Sequence, residues 1–556
     1  MAVRKRNDPL LEGDGALRAA ILKVRRATDA NGRRLPTIAV KLATPSGKCW
    51  TYLPEHDLVQ KKTACLIDFA VAHDIDTGDM EEADLRILCR QLRTAAKKRV
   101  VLLRRPGYFR VSAGENKAEG FVYANRIYWA NEQAQFGKVV CVTDRDVVPA
   151  SCSLDCWKGK VGVLFEGQRY MTVGLGATLC ALLVRALDLH KISLFIIGES
   201  SMGKSALQRA CLSTSRSGDD LESATGTILG LQMRMSERPD EAVHLEDARQ
   251  VGSAADFGKL IFDVGNGAAR VVGSAGQKAV VGEAADCILV VSNERTIAEG
   301  AVGVSGVQID AGMSARVFEL VIKAEHGVFD AFDGEQDPAD FAEKLSSRSR
   351  KYFGALWPEW VEVVAHNLKE IRQRRDQEMP RIRAILEAAV NAEDPVLKRM
   401  ISGYAGWMFA LSIAIDHELL PLTKRQVREA FISVLVEQEA QRGAGKTRRH
   451  DEILDLVRHA LDRNPKFFVP WENRSNVVNG MWGYTRVMDG ERYFLLLPPM
   501  LGELAKNYGK NDVSRALDDA GLLKTNAGER TLLVRMNPGD KSKRFYAISA
   551  RIQSDG

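Results

Sequence analysis

The segment that most constrains the fold lies at residues 198–205, which read Gly-Glu-Ser-Ser-Met-Gly-Lys-Ser. It fits the pattern G-x-x-x-x-G-K-[ST], in which backbone N–H groups wrap phosphates, the lysine neutralises their charge and the hydroxyl binds magnesium. An apolar strand at residues 194–197 precedes it, and residues 204–212 have helical spacing. The loop therefore joins a strand to a helix N-terminus, where anions bind. This unit predicts an α/β P-loop core that binds ATP and Mg²⁺. The residues expected at the nucleotide are Gly198, Glu199, Ser200, Ser201, Met202, Gly203, Lys204, Ser205 and Ala206.

Three more strand-like segments follow the loop and alternate with helical patterns. Together with residues 194–197, they lie at residues 242–245, 288–292 and 317–322. This alternation predicts a parallel sheet covered by helices. The apolar run at residues 171–184 is shorter than the roughly 20 residues that cross a bilayer, so it predicts a buried helix.

A P-loop requires an acidic pair at the end of a neighbouring strand, one residue for magnesium and the next for the attacking water. Glu246 and Asp247, after the apolar residues 242–245, are the candidates. The usual order is Asp-Glu, so the reversed pair leaves two registers open. If Glu246 binds the metal, Asp247 is a short catalytic base. If Asp247 binds the metal, Ala248 follows it and no base exists, which describes a poorly hydrolysing enzyme.

Asn293 ends the strand that starts near Cys287. An amide at this place can orient the water beside the γ-phosphate, provided that the strand lies next to the P-loop. The competing interpretation is an asparagine that only forms the turn after a strand.

The length of 556 residues suggests three or four domains at about 150 residues each. A hairpin is predicted at residues 37–53, helices with a basic linker near residues 442–447 follow the core, and the order of elements after residue 470 resembles a winged helix. The predicted segments are an α+β N-terminal domain at 1–99, a β-rich segment at 100–170, the P-loop ATPase domain at 171–335, a helical region at 336–465 and the winged-helix-like domain at 466–556.

The charge balance is mildly basic, with 78 Lys and Arg against 72 Asp and Glu and a net charge of +6. Such a balance is compatible with a polyanionic partner. In the C-terminal domain the candidates for DNA contact are Arg515, Lys524 and Lys543, although acidic residues are interspersed among them. Two short apolar pieces around a glycine-rich turn at residues 267–281 predict a β-hairpin with two more candidates, Arg270 and Lys278. A plain solvated surface is the alternative at both places.

Taken together, these motifs resemble the domain-of-unknown-function nine-two-seven family. The resemblance is carried by residues 198–205, 243–247, 263–267, 288–294 and 312–316. It implies an AAA+-type ATPase of phages, plasmids or integrated elements, similar to the MCM-like helicases of staphylococcal cassette elements. By this likeness Asn293 is the sensor residue and Arg316 an arginine that acts across a subunit border. The reversed Glu246-Asp247 pair departs from the family pattern.

These features favour an ATP-driven DNA translocase or helicase, a ring-forming (hexameric) homo-oligomer that acts on single-stranded or forked DNA in replication of a mobile element. The alternative is a nucleotide-gated switch or protein-remodelling ATPase, for example in anti-phage defence, without strand separation. A metabolic kinase is disfavoured because no small-substrate lid is recognisable. The N-terminus has no apolar stretch behind its positive charges, so we expect a cytoplasmic protein without a membrane partner.

Overall fold

The computed structural model describes residues 16–78, 80–113, 116–130, 139–143, 148–247, 271–272, 280–281, 286–296, 315–390, 392–475, 479–506, 508–526, 529–537 and 540–553. The described residues up to Val434 form one compact unit, and those from Leu435 form a second.

The first unit begins with a mixed sheet packed against short helices. Its elements are α1 (Ala16–Ala20), β1 (Ile21–Thr28), β2 (Arg34–Thr44), β3 (Gly47–Pro54), α2 (Glu55–Val59), α3 (Thr63–Val71), α4 (Glu82–Ala95), β4 (Arg99–Leu103), β5 (Gly107–Ala113), β6 (Asn116–Tyr123), β7 (Arg126–Trp129) and β8 (Val139–Cys141). The sheet has the order β3-β2-β1-β4-β8, and β5, β6 and β7 form a separate antiparallel sheet. Strands β2 and β3 pair up to Thr44 opposite Gly47, so the predicted hairpin is confirmed.

The P-loop follows a strand of a third sheet in the same unit, in which every strand is parallel to its neighbours. The elements of this region are α5 (Leu154–Lys160), α6 (Arg169–Leu187), β9 (Ser193–Ile197), α7 (Lys204–Leu212), β10 (Glu222–Ser223), α8 (Ile228–Ser236), β11 (Ala242–Glu246), β12 (Val271–Val272), β13 (Val280–Val281), β14 (Ile288–Asn293) and β15 (Val317–Val321), of which β12 and β13 form a separate two-stranded sheet. The strand order is β10-β11-β14-β9-β15. All four strands expected from the sequence lie in this sheet, so the predicted parallel arrangement is confirmed.

Helix α6 forms part of the interior beside this sheet. By length and composition it could cross a membrane, but 89% of its most apolar window is buried inside the protein. It packs against α7, β11 and β14. The prediction of a buried helix is confirmed.

Helices dominate the described chain between β15 and Arg463. They are α9 (Pro338–Lys351), α10 (Leu356–His366), α11 (Leu368–Ala389), α12 (Pro395–Asp416) and α13 (Lys424–Arg463). Pro395 starts α12 after the N-cap Asp394, which accepts a hydrogen bond from the Val396 N–H at 2.9 Å. The linker expected near residues 442–447 is wrong, because α13 is continuous there. Each glycine in that stretch costs about 1 kcal/mol relative to alanine, a cost that a proline-free run of good helix formers tolerates.

The second unit contains a sheet and two short helices besides its part of α13. The elements are β16 (Phe468–Pro470), β17 (Gly483–Met488), β18 (Glu491–Leu496), α14 (Leu501–Leu504), α15 (Lys510–Asp519), β19 (Leu523–Lys524), β20 (Leu532–Val534) and β21 (Lys543–Ser549). The sheet has the order β16-β17-β18-β21-β19, and β20 also pairs with β21. The expected order of strands and helices is present. The sheet is larger than a simple wing, and α14 has only four residues.

Candidate nucleotide-binding site

The P-loop connects the buried strand β9 to the N-terminus of α7. Its last glycine, Gly203, has φ +78°, a conformation that a residue with a side chain adopts only at a cost. A Cβ at this position would lie 2.6 Å from the Phe329 ring. Backbone conformation and packing therefore both require glycine at the point where the loop enters the helix.

The lysine of the loop points back across it. The Lys204 ammonium donates hydrogen bonds to the carbonyl oxygens of Gly198 and Glu199, at 2.7 Å and 2.5 Å. The positive charge of Lys204 at the N-terminus of α7 provides a binding site for a polyphosphate group.

Ser205, in the first turn of α7, donates its hydroxyl hydrogen bond to the Glu246 carboxylate, across 41 residues of sequence. Glu246 is the last residue of β11. Hydroxyl and carboxylate oxygens, together with substrate phosphates and water, are the ligands that Mg²⁺ prefers. Within the described residues no group of three or more His, Cys, Asp or Glu side chains could hold a metal by itself. The pair at Ser205 thus suits a metal ion that is shared with a nucleotide.

Asp247 leaves the sheet directly after Glu246. Its backbone has φ +57°, and its N–H donates to the Ser292 hydroxyl at 3.3 Å. Aspartate tolerates this left-handed conformation better than most residues, so the chain can turn sharply here. Of the two carboxylates, Glu246 is the one bound to the P-loop serine.

Asn293 lies between the P-loop strand and the acidic strand, because β14 separates β9 from β11. Its backbone carbonyl accepts a hydrogen bond from the Gly198 N–H at 3.1 Å. Its side chain, however, closes its own turn: the amide donates to the Arg295 carbonyl and accepts from the Glu294 N–H, both at 2.9 Å. Asn293 thus lies beside the P-loop, as expected. Its side-chain amide makes the contacts expected of an asparagine that forms the turn after a strand, which is the competing interpretation.

Two contacts of the loop were not predicted from the sequence. The Ser200 hydroxyl donates to Oε1 of Glu294 at 2.8 Å. Behind the loop, the Val328 N–H donates to the Met202 carbonyl at 3.0 Å, and Gly327 approaches Met202 so closely that a Cβ would lie 2.4 Å from that carbonyl oxygen. The carboxylate after β14 could have been noted, since it follows a strand end at the edge of the sheet where the P-loop lies.

Arg316 lies at the opposite edge of the sheet from the P-loop. It precedes β15, and its carbonyl accepts from the N–H of Ser193, the first residue of β9, at 2.8 Å. The five residues of β9 separate this point from the loop by about 16 Å at roughly 3.3 Å per residue. The structure does not bring Arg316 to the P-loop of its own chain.

The residues expected at DNA fall partly outside the described residues and partly in the second unit. Strands β12 and β13 pair antiparallel, as the predicted hairpin requires, but Arg270 and Lys278 lie outside the described residues. In the second unit Lys524 forms an ion pair with Asp489, while Arg515 and Lys543 are exposed. Neighbouring basic residues are also paired: Arg530 lies 3.1 Å from Asp518, and Arg544 lies 3.0 Å from Glu529. These acidic partners lower the local positive charge around β19, β20 and β21.

Part of the first unit matches the model of one protein family. The model of the family described as "Domain of unknown function (DUF927)" matches residues 71–279. The match includes the P-loop and the Glu246-Asp247 pair and ends before Asn293 and Arg316. The resemblance seen in the sequence is confirmed. No curated protein matches this chain in sequence.

Among solved structures, one described as "SCCmec type IV Cch - active helicase" aligns with a TM-score of 0.67 and 14% identity, covering 96% of this chain and 95% of that chain. This similarity shows a shared fold along nearly the whole length. A structure described as the apo C-terminal region of NrS-1 covers 73% of this chain and 90% of that chain at 11% identity, and its TM-score of 0.26 is too low to support an argument. The chain is an α/β protein whose fold is similar to that of a helicase.

Proposed function

We propose that this protein is an ATP-dependent DNA translocase or helicase, a ring-forming motor in the replication of a mobile genetic element. The observation that carries the proposal is the contact between Ser205 and Glu246 beside the Lys204 ammonium. At one edge of a parallel sheet, this contact places the P-loop, the positive charge of Lys204 and two oxygen ligands for a metal ion close together. The likeness to a helicase fold supports the choice of DNA as the partner.

In this proposal ATP binds over the P-loop, and Ser205 and Glu246 would hold Mg²⁺. The metal ion would neutralise charge that develops on the phosphates. Lys204 binds the β- and γ-phosphates, and Gly203 lets the backbone approach them. The residues fit this cofactor because the helix N-terminus, the hydroxyl and the carboxylate converge at one place.

Arg316 acts in trans in this proposal. Its carbonyl bonds to the first residue of β9, at the end of that strand away from the P-loop, and this supports a role at the border with a neighbouring subunit. We assign the parallel-sheet region to an AAA+-type core and the second unit to a winged-helix-like domain, where exposed Arg515 and Lys543 contact DNA phosphates. A cytoplasmic location follows from this role.

The test is the ATPase rate with and without single-stranded or forked DNA. We expect strong stimulation by DNA, and its loss in Lys204→Ala. A rate that DNA does not change would favour the second candidate, a nucleotide-gated switch or protein-remodelling ATPase. That candidate is supported by the reversed acidic pair and by the Asn293 amide, which is engaged in its own turn.

A further inference from the structure

We propose that Glu294, rather than Asp247, is the general base that orients and deprotonates the water attacking ATP. The inference rests on the proposed ATPase function. It assigns the catalytic base, the role that the reversed Glu246-Asp247 pair leaves open. It is carried by the hydrogen bond from the P-loop residue Ser200 to the Glu294 carboxylate.

The topology places Glu294 beside the loop. It follows the last residue of β14, which is the strand that pairs with β9. The Gly198 N–H bonds to the Asn293 carbonyl, so the two chain segments leave the sheet side by side. The Glu294 side chain is half-buried and reaches the Ser200 hydroxyl at 2.8 Å.

The lysine indicates which end of the phosphate chain Glu294 borders. In a P-loop this lysine reaches the β- and γ-phosphates. Here the Lys204 ammonium is bound to the carbonyls of Gly198 and Glu199, and Ser200 is the next residue. A carboxylate held by Ser200 therefore lies at the end of the site where the γ-phosphate is attacked.

The other carboxylates are less suited to the role. Glu246 is engaged with Ser205, the metal-binding hydroxyl. Asp247 turns away from the strand at φ +57°, and its side chain is one methylene shorter than that of glutamate. Glu294 is thus the carboxylate that the phosphate loop positions away from the serine that suits the metal.

In the reaction the oxygen of water forms a bond to the γ-phosphorus, and the bond from that phosphorus to the β–γ bridging oxygen breaks. The bridging oxygen leaves with ADP. Glu294 accepts the proton of the attacking water and releases it to solvent, so ATP and water give ADP, inorganic phosphate and a proton. Ser200 acts as a positioning residue through its hydrogen bond to Glu294.

The experiment compares Glu294→Gln with Asp247→Asn in the full chain, measuring kcat for ATP and the affinity for a fluorescent ATP analogue. We expect Glu294→Gln to lower kcat by about 100-fold or more, the usual range for a general base, with nucleotide affinity changed by less than about threefold. Asp247→Asn should lower kcat by less than about tenfold. Glu343→Gln, an exposed carboxylate on α9, is the matched control and should leave both quantities unchanged.

Three results would overturn the assignment: Glu294→Gln within tenfold of the wild-type kcat, loss of nucleotide binding in that variant, or an equally large loss of kcat in Asp247→Asn. Loss of binding would mean that Glu294 only supports the loop. If wild-type protein hydrolyses ATP and the kcat of Glu294→Gln is within tenfold of it, only this assignment fails. If wild-type protein does not hydrolyse ATP under any condition, the proposed function fails with it.

Discussion

Replacing Glu119 by glutamine should destabilise the first unit in a pH-dependent way. Glu119, on β6, accepts hydrogen bonds from Arg372 on α11 at 2.9 Å, from Arg110 at 3.1 Å and from the Tyr108 hydroxyl. Its side chain is 18% exposed. Burial alone would raise the pKa of this carboxyl, but the bonds from Arg372, Tyr108 and Arg110 outweigh burial and lower the pKa from 4.5 to about 2. The charged carboxylate therefore ties the small antiparallel sheet to α11.

The difference between these pKa values corresponds to about 3 kcal/mol of stability at neutral pH, at roughly 1.4 kcal/mol per pKa unit. Because the pKa is lower in the folded state, this stability is present above pH 4.5 and is lost as the pH falls toward 2. Between pH 7 and pH 4 the wild-type protein should lose about 1 kcal/mol of it.

The assay is urea unfolding followed by circular dichroism at pH 7 and pH 4. Glu119→Gln should have a free energy of unfolding about 3 kcal/mol lower than that of the wild type at pH 7. At pH 4 this difference in the free energy of unfolding should be smaller by about 1 kcal/mol. The control is Glu82→Gln, whose exposed i,i+4 pair with Arg86 should contribute less than about 0.5 kcal/mol. The reasoning would be refuted if the difference in the free energy of unfolding between Glu119→Gln and the wild type did not change with pH. It would also be refuted if Glu119→Gln and Glu82→Gln lost the same free energy of unfolding.

Other perturbations test the nucleotide site. Glu246→Gln should raise the Mg²⁺ concentration needed for half-maximal hydrolysis by about tenfold or more, and an unchanged magnesium titration would contradict the metal role. Gly203→Ala should lower nucleotide affinity by at least about tenfold in equilibrium titration, because φ +78° and the Phe329 ring oppose a side chain; wild-type affinity would contradict this. Arg316→Ala should keep ATP binding and lose hydrolysis, and mixing it with Lys204→Ala should restore some activity. Absence of rescue in mixtures that co-assemble would rule out the trans arrangement.

Much of the fold could be predicted from local patterns. The strands β9, β11, β14 and β15 were expected as apolar segments, and the hairpin of β2 and β3 was expected from the turn at Pro45. Both signals lie within a few neighbouring residues. The continuous helix α13 was missed because its glycines resembled a linker, although the residues around them favour a helix.

The site was harder to predict because its contacts join distant parts of the sequence. The motif identified Lys204, Ser205 and Glu246, but only the fold shows that Glu246, and not Asp247, meets Ser205. The contact of Ser200 with Glu294 spans 94 residues and has no local pattern. The same holds for Val328 behind the loop, which supports Met202 through a backbone hydrogen bond.

The central claim, that ATP turnover at this P-loop separates DNA strands, is tested most directly by measuring unwinding of a forked duplex. Wild-type protein with ATP and Mg²⁺ should release the labelled strand, and Lys204→Ala, with its fold intact by circular dichroism, should release none. Brisk ATP hydrolysis by the wild type without any strand release, on forks with either a 3′ or a 5′ single-stranded arm, would contradict the account.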